Sequence, residues 1–262
     1  MFNKIARGVK FPWIKLASFL VFYSCNAEPE EFKLITVLYN ETKKERISEY
    51  LTCLEKNLAH NRIDKIHIVY DTSKDHGASV ILDYVKSKEL PITYINGRAT
   101  YAFCFDLVNE LYPNSRVILS NADIYFNETL ELLDNYDLTN KFLVLTRWNI
   151  QKDTTMSLLR GNNGEEVSNS HDSWIFSTPI HFQNGNILIG TLGCDRTIAF
   201  QAKKSGLTVI NPCLSIQGCH LHLSGIRNWD KTFAYPKEGS ILVPYSKISE
   251  KPKELIYLKF CS

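Results

Sequence analysis

The chain has 262 residues, of which 44% are hydrophobic, 22% charged and 12% aromatic. This composition supports an ordered globular domain and excludes a disordered chain, which would contain few aromatic residues. The 30 basic residues nearly balance 28 acidic ones, and four of the basic residues lie within residues 1–27, which contain no acid. The rest of the chain is slightly acidic and lacks the basic excess typical of proteins that bind nucleic acid.

The amino terminus has the layout of a targeting segment. A basic stretch precedes the apolar residues 16–24, and Ala27 stands just before an acidic stretch. This order is typical of a secretory signal, and the apolar run is shorter than the roughly 20 residues that span a bilayer. We expect a signal peptide or signal anchor in residues 1–27, with a buried helix as the alternative, and one domain in residues 28–262. The segment predicts the secretory pathway, with the protein either exported or associated with a membrane.

After this segment, apolar runs of strand length alternate with segments whose apolar residues recur at helical spacing. The predicted strands are residues 32–39, 65–70, 92–95, 116–120, 142–146, 174–176 and 207–210. The predicted helices are residues 45–58, 80–85, 101–111 and 195–204, with a further helix beginning at residue 129. This alternation predicts an α/β fold with a mostly parallel sheet flanked by helices. The polar residues 149–172 are expected to form a long loop.

The chain has seven cysteines, which an exported protein can join in disulfides. Cys53 and Cys104 lie on the apolar faces of predicted helices, where a buried free thiol is the usual outcome. We therefore expect at most one or two disulfides, near the carboxyl end.

Polar clusters follow several of the predicted strands, and ligands of parallel sheets bind beyond the carboxyl ends of strands. The clusters are SNADIYF at 120–126, HDSWIF at 171–176, LIGTLGCDR at 188–196 and CHLH at 219–222. Asp123 is expected either to bind a ligand or to serve as a turn or cap residue, and Asp195 to face a cleft or to cap a helix. His220 and His222 alternate on an extended segment, so both point to one side and can reach a metal.

The order of these segments resembles that of nucleotide-sugar glycosyltransferases of the GT-A type, over about residues 32–230. SNADIYF resembles the family's Asp-x-Asp metal motif, and LIGTLGCDRTIAF resembles its glycine-rich segment with an acidic catalytic residue. The resemblance implies a GT-A-like architecture, a nucleotide-sugar donor, and a divalent cation, Mn or Mg, at the donor diphosphate. The sequence departs from the motif at Asn121, where an amide replaces the first carboxylate. We expect this amide to bind metal weakly or to contact the donor instead.

The resemblance also implies roles for single residues. It places the cation on Asp123, His220 and His222 and makes Asp195 the catalytic base. Trp174 is expected to stack on a sugar or to lie in the core, and Arg98 to contact phosphate or to form a surface ion pair. The full set of expected donor contacts is Tyr39, Arg98, Asn121, Trp174 and Gly193. The acceptor is expected to be a glycan, a protein or a lipid.

Two other functional classes remain open on the sequence. A secreted glycoside hydrolase needs two carboxylates in one cleft, which Asp123 and Asp195 would supply. A metal-stabilised binding module would hold zinc with mixed sulfur and nitrogen ligands. Its candidate ligands are Cys213, Cys219, His220 and His222. Binding of intact nucleoside diphosphates separates a glycosyltransferase from both.

Overall fold

The computed structural model describes residues 30–161, 165–168, 170–227, 234–235 and 239–258. The targeting segment predicted for residues 1–27 lies outside this set. None of the helices in the described part of the chain has the length and apolar character that a membrane span requires.

Fourteen strands and four α-helices make up the described fold. The strands are β1 Phe32–Tyr39, β2 Ile63–Asp71, β3 Ile92–Ile95, β4 Arg116–Ser120, β5 Ile124–Phe126, β6 Lys141–Leu145, β7 Trp148–Ile150, β8 Met156–Leu158, β9 Val167–Ser168, β10 Ser173–Ser177, β11 Thr208–Ile210, β12 Gly218–His220, β13 Ile241–Pro244 and β14 Ile256–Tyr257. The helices are α1 Lys44–Leu58, α2 Val80–Ser87, α3 Tyr101–Leu111 and α4 Cys194–Lys204.

The main sheet has seven strands in the order β11-β6-β10-β4-β1-β2-β3. Neighbouring strands are parallel except for β10, which runs antiparallel to both β4 and β6. This confirms the predicted mostly parallel sheet. Because β1, β2 and β4 are parallel, the polar residues that follow them meet at one edge of the sheet.

Hydrophobic side chains cover both faces of the sheet, as the strand pattern predicts. On one face Leu34 belongs to a cluster with Leu54 of α1 and Ile81 of α2. On the other face Ile35 belongs to a cluster that includes Phe105 of α3 and Ile198 of α4. Neighbouring residues of a strand point to opposite faces, so a strand covered on both sides is apolar throughout.

Three local expectations are corrected by the structure. The region predicted as a long loop contains β7, β8 and β9, and β7 pairs with both β8 and β12. The helix expected from residue 129 is a single 3-10 segment, Glu128–Leu133. Cys213 and Cys219 are buried free thiols, so the disulfides expected near the carboxyl end do not include them. Cys53 and Cys104 are buried and free, as predicted.

Candidate active site

A cleft of about 940 Å³ opens where the carboxyl ends of β1, β2 and β4 meet. Its basic side chains are Lys43, Arg46, Lys74, Arg98, Arg147 and Arg227. Its acidic side chains are Glu41, Asp71, Asp123 and Asp172. The described lining is therefore locally positive although the chain is close to neutral, which suits an anionic ligand.

Asp123, His220 and His222 come together in this cleft. The antiparallel pairing of β12 with β5 sets His220 opposite Ile124, next to Asp123 in the chain. His220 Nε2 lies 3.2 Å from Asp123 Oδ2, and His222 Nδ1 lies 3.9 Å from the same oxygen. Within the described residues, no other group of three or more His, Cys, Asp or Glu side chains brings its ligand atoms this close. Cys213 and Cys219 are not part of it.

The hydrogen bond on the far side of His220 orients its ring. His220 Nδ1 lies 2.9 Å from Asn149 Oδ1, an oxygen that also accepts a bond from Arg147 Nε at 3.0 Å. The imidazole therefore donates its Nδ1 proton to Asn149. Nε2 then faces Asp123: with a proton it donates to the carboxylate, and without one it offers the lone pair of a metal-binding histidine whose second nitrogen is anchored.

A buried arginine contacts the same carboxylate. Arg46 of α1 is 5% exposed, and its Nη2 donates to Asp123 Oδ2 at 2.9 Å. Burial alone would raise the pKa of Asp123, but hydrogen bonds and charges from His220 and Arg46 outweigh it and hold that pKa well below its usual range. Sequence reasoning missed Arg46, because one basic residue in an amphipathic helix carries no signal that it faces the core.

Asp172, at the start of β10, is the second acidic centre of the cleft. Arg147 Nη1 lies 3.2 and 3.1 Å from its two carboxylate oxygens. The Asn121 amide donates to Asp172 Oδ1 at 3.1 Å, so this side chain is turned toward Asp172. The sequence singled out the HDSWIF segment, whereas nothing in it pointed to Arg147.

Asp195 lies in the first turn of α4, close to Asp172. Its carboxylate accepts bonds from the His171 backbone N–H at 3.3 Å and from Cys194 Sγ at 3.1 Å. The N-cap of α4 is Gly193, so Asp195 is not the capping residue of this helix. Burial, followed by the negative charge of Asp172, raises the pKa of Asp195 to about 7. Asp172, and not Asp195, is among the residues that line the cleft.

Of the expected donor contacts, Tyr39, Asn121 and Arg98 line the cleft. The Tyr39 hydroxyl lies 3.2 Å from both Glu41 Oε2 and the Tyr50 hydroxyl. Arg98 Nη1 donates to the carbonyls of Ile189 and Gly190 at 3.1 and 3.0 Å, so it braces the glycine-rich segment at the cleft wall.

Trp174 and Gly193 are not among the residues that line the cleft. Trp174 has the core position that was the alternative to stacking on a sugar. Trp174 is 1% exposed, and its ring meets that of Tyr101 edge to face at 4.9 Å in the core. Gly193 has a φ of +84°, and a Cβ there would lie 2.7 Å from Arg196 Nη2. The backbone conformation and the approach of Arg196, and not a ligand in the cleft, therefore account for this glycine.

Asp71 is a further cleft residue that sequence reasoning did not assign. It ends β2, and its Oδ1 accepts bonds from the backbone N–H groups of Ser73 and Gly97 at 2.9 Å. Its position at the carboxyl end of a parallel strand is the signal that would have identified it.

Neither a protein-family model nor a curated protein sequence matches the chain. Solved structures do match. GalNAc-T7, solved with UDP, GalNAc and Mn²⁺, is 11% identical with a TM-score of 0.51, over 77% of this chain and 44% of that one. A mannosyltransferase from Pyrobaculum calidifontis, solved with GDP-Man and Mn²⁺, is 12% identical with a TM-score of 0.48, over 75% of this chain and 57% of that one. TarS from S. aureus is 15% identical with a TM-score of 0.44, over 76% of this chain and 36% of that one.

The chain thus matches about half the length, or less, of these structures. The sheet order, the single antiparallel strand within a parallel sheet and the similarity to GalNAc-T7 agree with the fold expected from the sequence. The chain has the GT-A fold of nucleotide-sugar glycosyltransferases.

Proposed function

We propose that the chain is a glycosyltransferase that moves a sugar from a nucleotide-diphosphate sugar to an acceptor hydroxyl. The observation that carries the proposal is the group of Asp123, His220 and His222 at the carboxyl edge of a GT-A sheet, in a cleft with more basic than acidic side chains. A diphosphate is the anionic part of such a donor, and a locally basic cleft favours its binding.

The residues of this group fit a divalent cation. His220 Nε2 is available as a ligand because Nδ1 is bonded to Asn149. His222 Nε2 is buried and has no hydrogen-bond partner among the described residues. One carboxylate with two imidazoles suits Mn better than Mg, which prefers oxygen ligands. A divalent cation held there would stabilise the negative charge that forms on the departing diphosphate.

We propose Asp195 as the base that takes the proton of the acceptor hydroxyl. Arg147 holds Asp172 in an ion pair, whereas Asp195 has no ion pair within the described residues. A pKa of about 7 leaves Asp195 partly ionised at neutral pH, which is the range that favours general-base catalysis. Asp195 lies next to the glycine-rich segment, and Gly190 of that segment lines the cleft.

The charge of the cleft lining, and not the state of its carboxylates, favours a glycosyltransferase over a glycoside hydrolase. A hydrolase needs one protonated carboxyl group as its general acid. The low pKa of Asp123 keeps this group ionised, but a pKa of about 7 leaves Asp195 partly protonated, so this pair of carboxylates is also compatible with a hydrolase. The six basic against four acidic side chains that line the cleft are what favour an anionic donor. The zinc-binding module loses support because Cys213 and Cys219 lie outside the ligand group.

The proposal is tested by measuring binding of UDP and GDP to the purified chain by calorimetry, with Mn, with Mg and with EDTA. We expect one of the two nucleotides to bind more tightly with Mn than with EDTA. A panel of nucleotide sugars and candidate acceptors, read by mass spectrometry, then identifies the transferred sugar. Failure to bind any nucleoside diphosphate under all three conditions would contradict the proposal.

We further propose that residues 1–27 direct the chain to the secretory pathway, where it meets a glycan, protein or lipid acceptor. The basic flank followed by a short apolar run supports this location.

A further inference from the structure

One oxygen atom, Asp123 Oδ2, is shared by three positively charged or proton-carrying groups. It lies 2.9 Å from Arg46 Nη2, 3.2 Å from His220 Nε2 and 3.9 Å from His222 Nδ1. The two histidines are ligands that a divalent cation favours. The guanidinium is a permanent positive charge and cannot act as a ligand.

Other contacts hold Arg46 in this position. Its Nη1 donates to Glu49 Oε2 at 2.5 Å, and its Nη2 also lies 3.0 Å from the Tyr50 hydroxyl. Glu49 in turn accepts bonds from the backbone N–H of Ser224 at 2.7 Å and from its hydroxyl at 3.1 Å. Glu49 and the Tyr50 hydroxyl thus hold the guanidinium independently of Asp123. Its positive charge stays next to Asp123 even when the hydrogen bond to Asp123 is lost.

A cation that binds Asp123 through Oδ2 must share or displace the hydrogen bond from Arg46. It also brings two positive charges next to a third in a buried environment, where charge repulsion is stronger than in water. We propose that Arg46 competes with the divalent cation for Asp123 Oδ2, so that the cation binds weakly until a diphosphate enters the cleft. This inference rests on the proposed metal site and adds to it a residue that sets metal affinity.

The diphosphate relieves the competition because it supplies negative charge to both the cation and the Arg46 guanidinium. Once its oxygens are present, the cation gains ligands and the guanidinium gains an acceptor for the bond it gave up. Metal and nucleotide then strengthen each other's binding, and this coupling is reciprocal. Because of Arg46, tight binding of the cation depends on the presence of the donor diphosphate.

The test measures Mn binding to the full chain by electron paramagnetic resonance of free Mn, without nucleotide and then with the nucleoside diphosphate that the chain binds. Arg46→Met removes the charge and keeps most of the side-chain length. We expect this variant to bind Mn at least about 10-fold more tightly than the unaltered chain without nucleotide, and to gain less from added nucleotide.

The matched control is Arg62→Met, because Arg62 forms its ion pair with Asp134 outside the cleft. Its Mn affinity should not change.

Arg46→Lys decides the matter if Arg46→Met does not fold, as judged by circular dichroism. Arg46→Lys keeps the charge but lacks the forked geometry that reaches Glu49 and Asp123 together. It should bind Mn with an intermediate affinity. The tighter binding of Arg46→Met should disappear in Arg46→Met with Asp123→Asn, since the gain arises at Asp123.

Equal or weaker Mn binding in Arg46→Met would overturn the inference, as would tighter binding that survives loss of the Asp123 charge. Where Arg46→Met does not fold, Mn binding by Arg46→Lys that equals that of the unaltered chain would overturn it. The proposed function fails differently, because its failure would appear as an unaltered chain that binds no nucleoside diphosphate. Mn affinity measured without nucleotide tests the inference about Arg46 independently of nucleotide binding.

Discussion

Arg147 and Asp172 form an ion pair in which one guanidinium nitrogen, Nη1, contacts both carboxylate oxygens, at 3.2 and 3.1 Å. Arg147 follows β6 and Asp172 precedes β10, so the pair joins two neighbouring strands at the cleft. Both side chains are largely buried, which strengthens the attraction relative to a surface pair. Of the two neighbouring carboxylates, Asp195 is the one without an ion pair in the described part of the chain.

Asp195→Asn is expected to lower turnover by two or more orders of magnitude, about the usual contribution of a general base. The substitution keeps the shape of the side chain and removes its basicity, so donor affinity should stay unchanged. Steady-state kinetics and calorimetry measure the two quantities. Asp106→Asn, an exposed position on α3, serves as the control. Near-normal transfer by Asp195→Asn would move the base elsewhere, with Asp172 the next candidate.

The rate of transfer should rise with pH through about 7. Asp195, whose pKa is raised to about 7, is protonated below that pH and cannot accept a proton. The charge of Asp172 contributes to the raised pKa, whereas Arg147 lowers it. Asp172→Asn should therefore shift the rising limb of kcat/KM to lower pH. If the rise of kcat/KM with pH occurred at the same pH in Asp172→Asn as in the unaltered chain, a group other than Asp195 would be responsible for it.

Asp123→Asn should weaken nucleoside diphosphate binding in the presence of Mn by at least about 10-fold, which corresponds to about 1.4 kcal/mol. The amide can still accept a bond from Arg46 but carries no charge to attract the cation. With EDTA present the variant and the unaltered chain should bind alike. The control is Asp137→Asn, whose side chain is 71% exposed. If Asp123→Asn kept full Mn-dependent binding, the cation site would lie elsewhere.

Trp174→Ala should destabilise the fold by about 3–5 kcal/mol, the usual cost of removing a buried aromatic side chain. Trp174 is 1% exposed and lies against Tyr101, so its loss leaves a cavity in the core. Urea unfolding measures the change in the free energy of unfolding. Leu132→Ala, at a position that is 56% exposed, should change it by less than about 0.5 kcal/mol. If Trp174→Ala kept its stability but bound the donor more weakly, Trp174 would have a role in sugar binding.

Residues 1–27 should either be absent from the mature protein or hold it in a membrane. Mass spectrometry of the protein isolated from its source should give a first residue near Glu28, or the full chain should fractionate with membranes. An intact amino terminus on protein found in the soluble cytosolic fraction would contradict the proposed location.

Much of the fold could be predicted from local patterns. The strands at residues 32–39, 92–95 and 116–120 have the bounds that the sequence predicts, because each is an apolar run closed by a polar or turn-forming residue. The sequence also placed Asp123 just after a strand and His220 on an extended segment. What local patterns could not predict was the direction of β10, since a short apolar strand reads the same in a parallel and an antiparallel position.

The sequence by itself determined the seven strands of the main sheet, the four α-helices and the polar residues that follow several of those strands, because these properties depend on neighbours a few positions away. Only the tertiary structure decided that Arg46 meets Asp123, 77 positions later, and that Asp172 receives Arg147. It also decided that Trp174 faces the core and not the cleft. Such contacts depend on how whole strands and helices pack, and the energy that selects them comes from burial and charge pairing between distant segments.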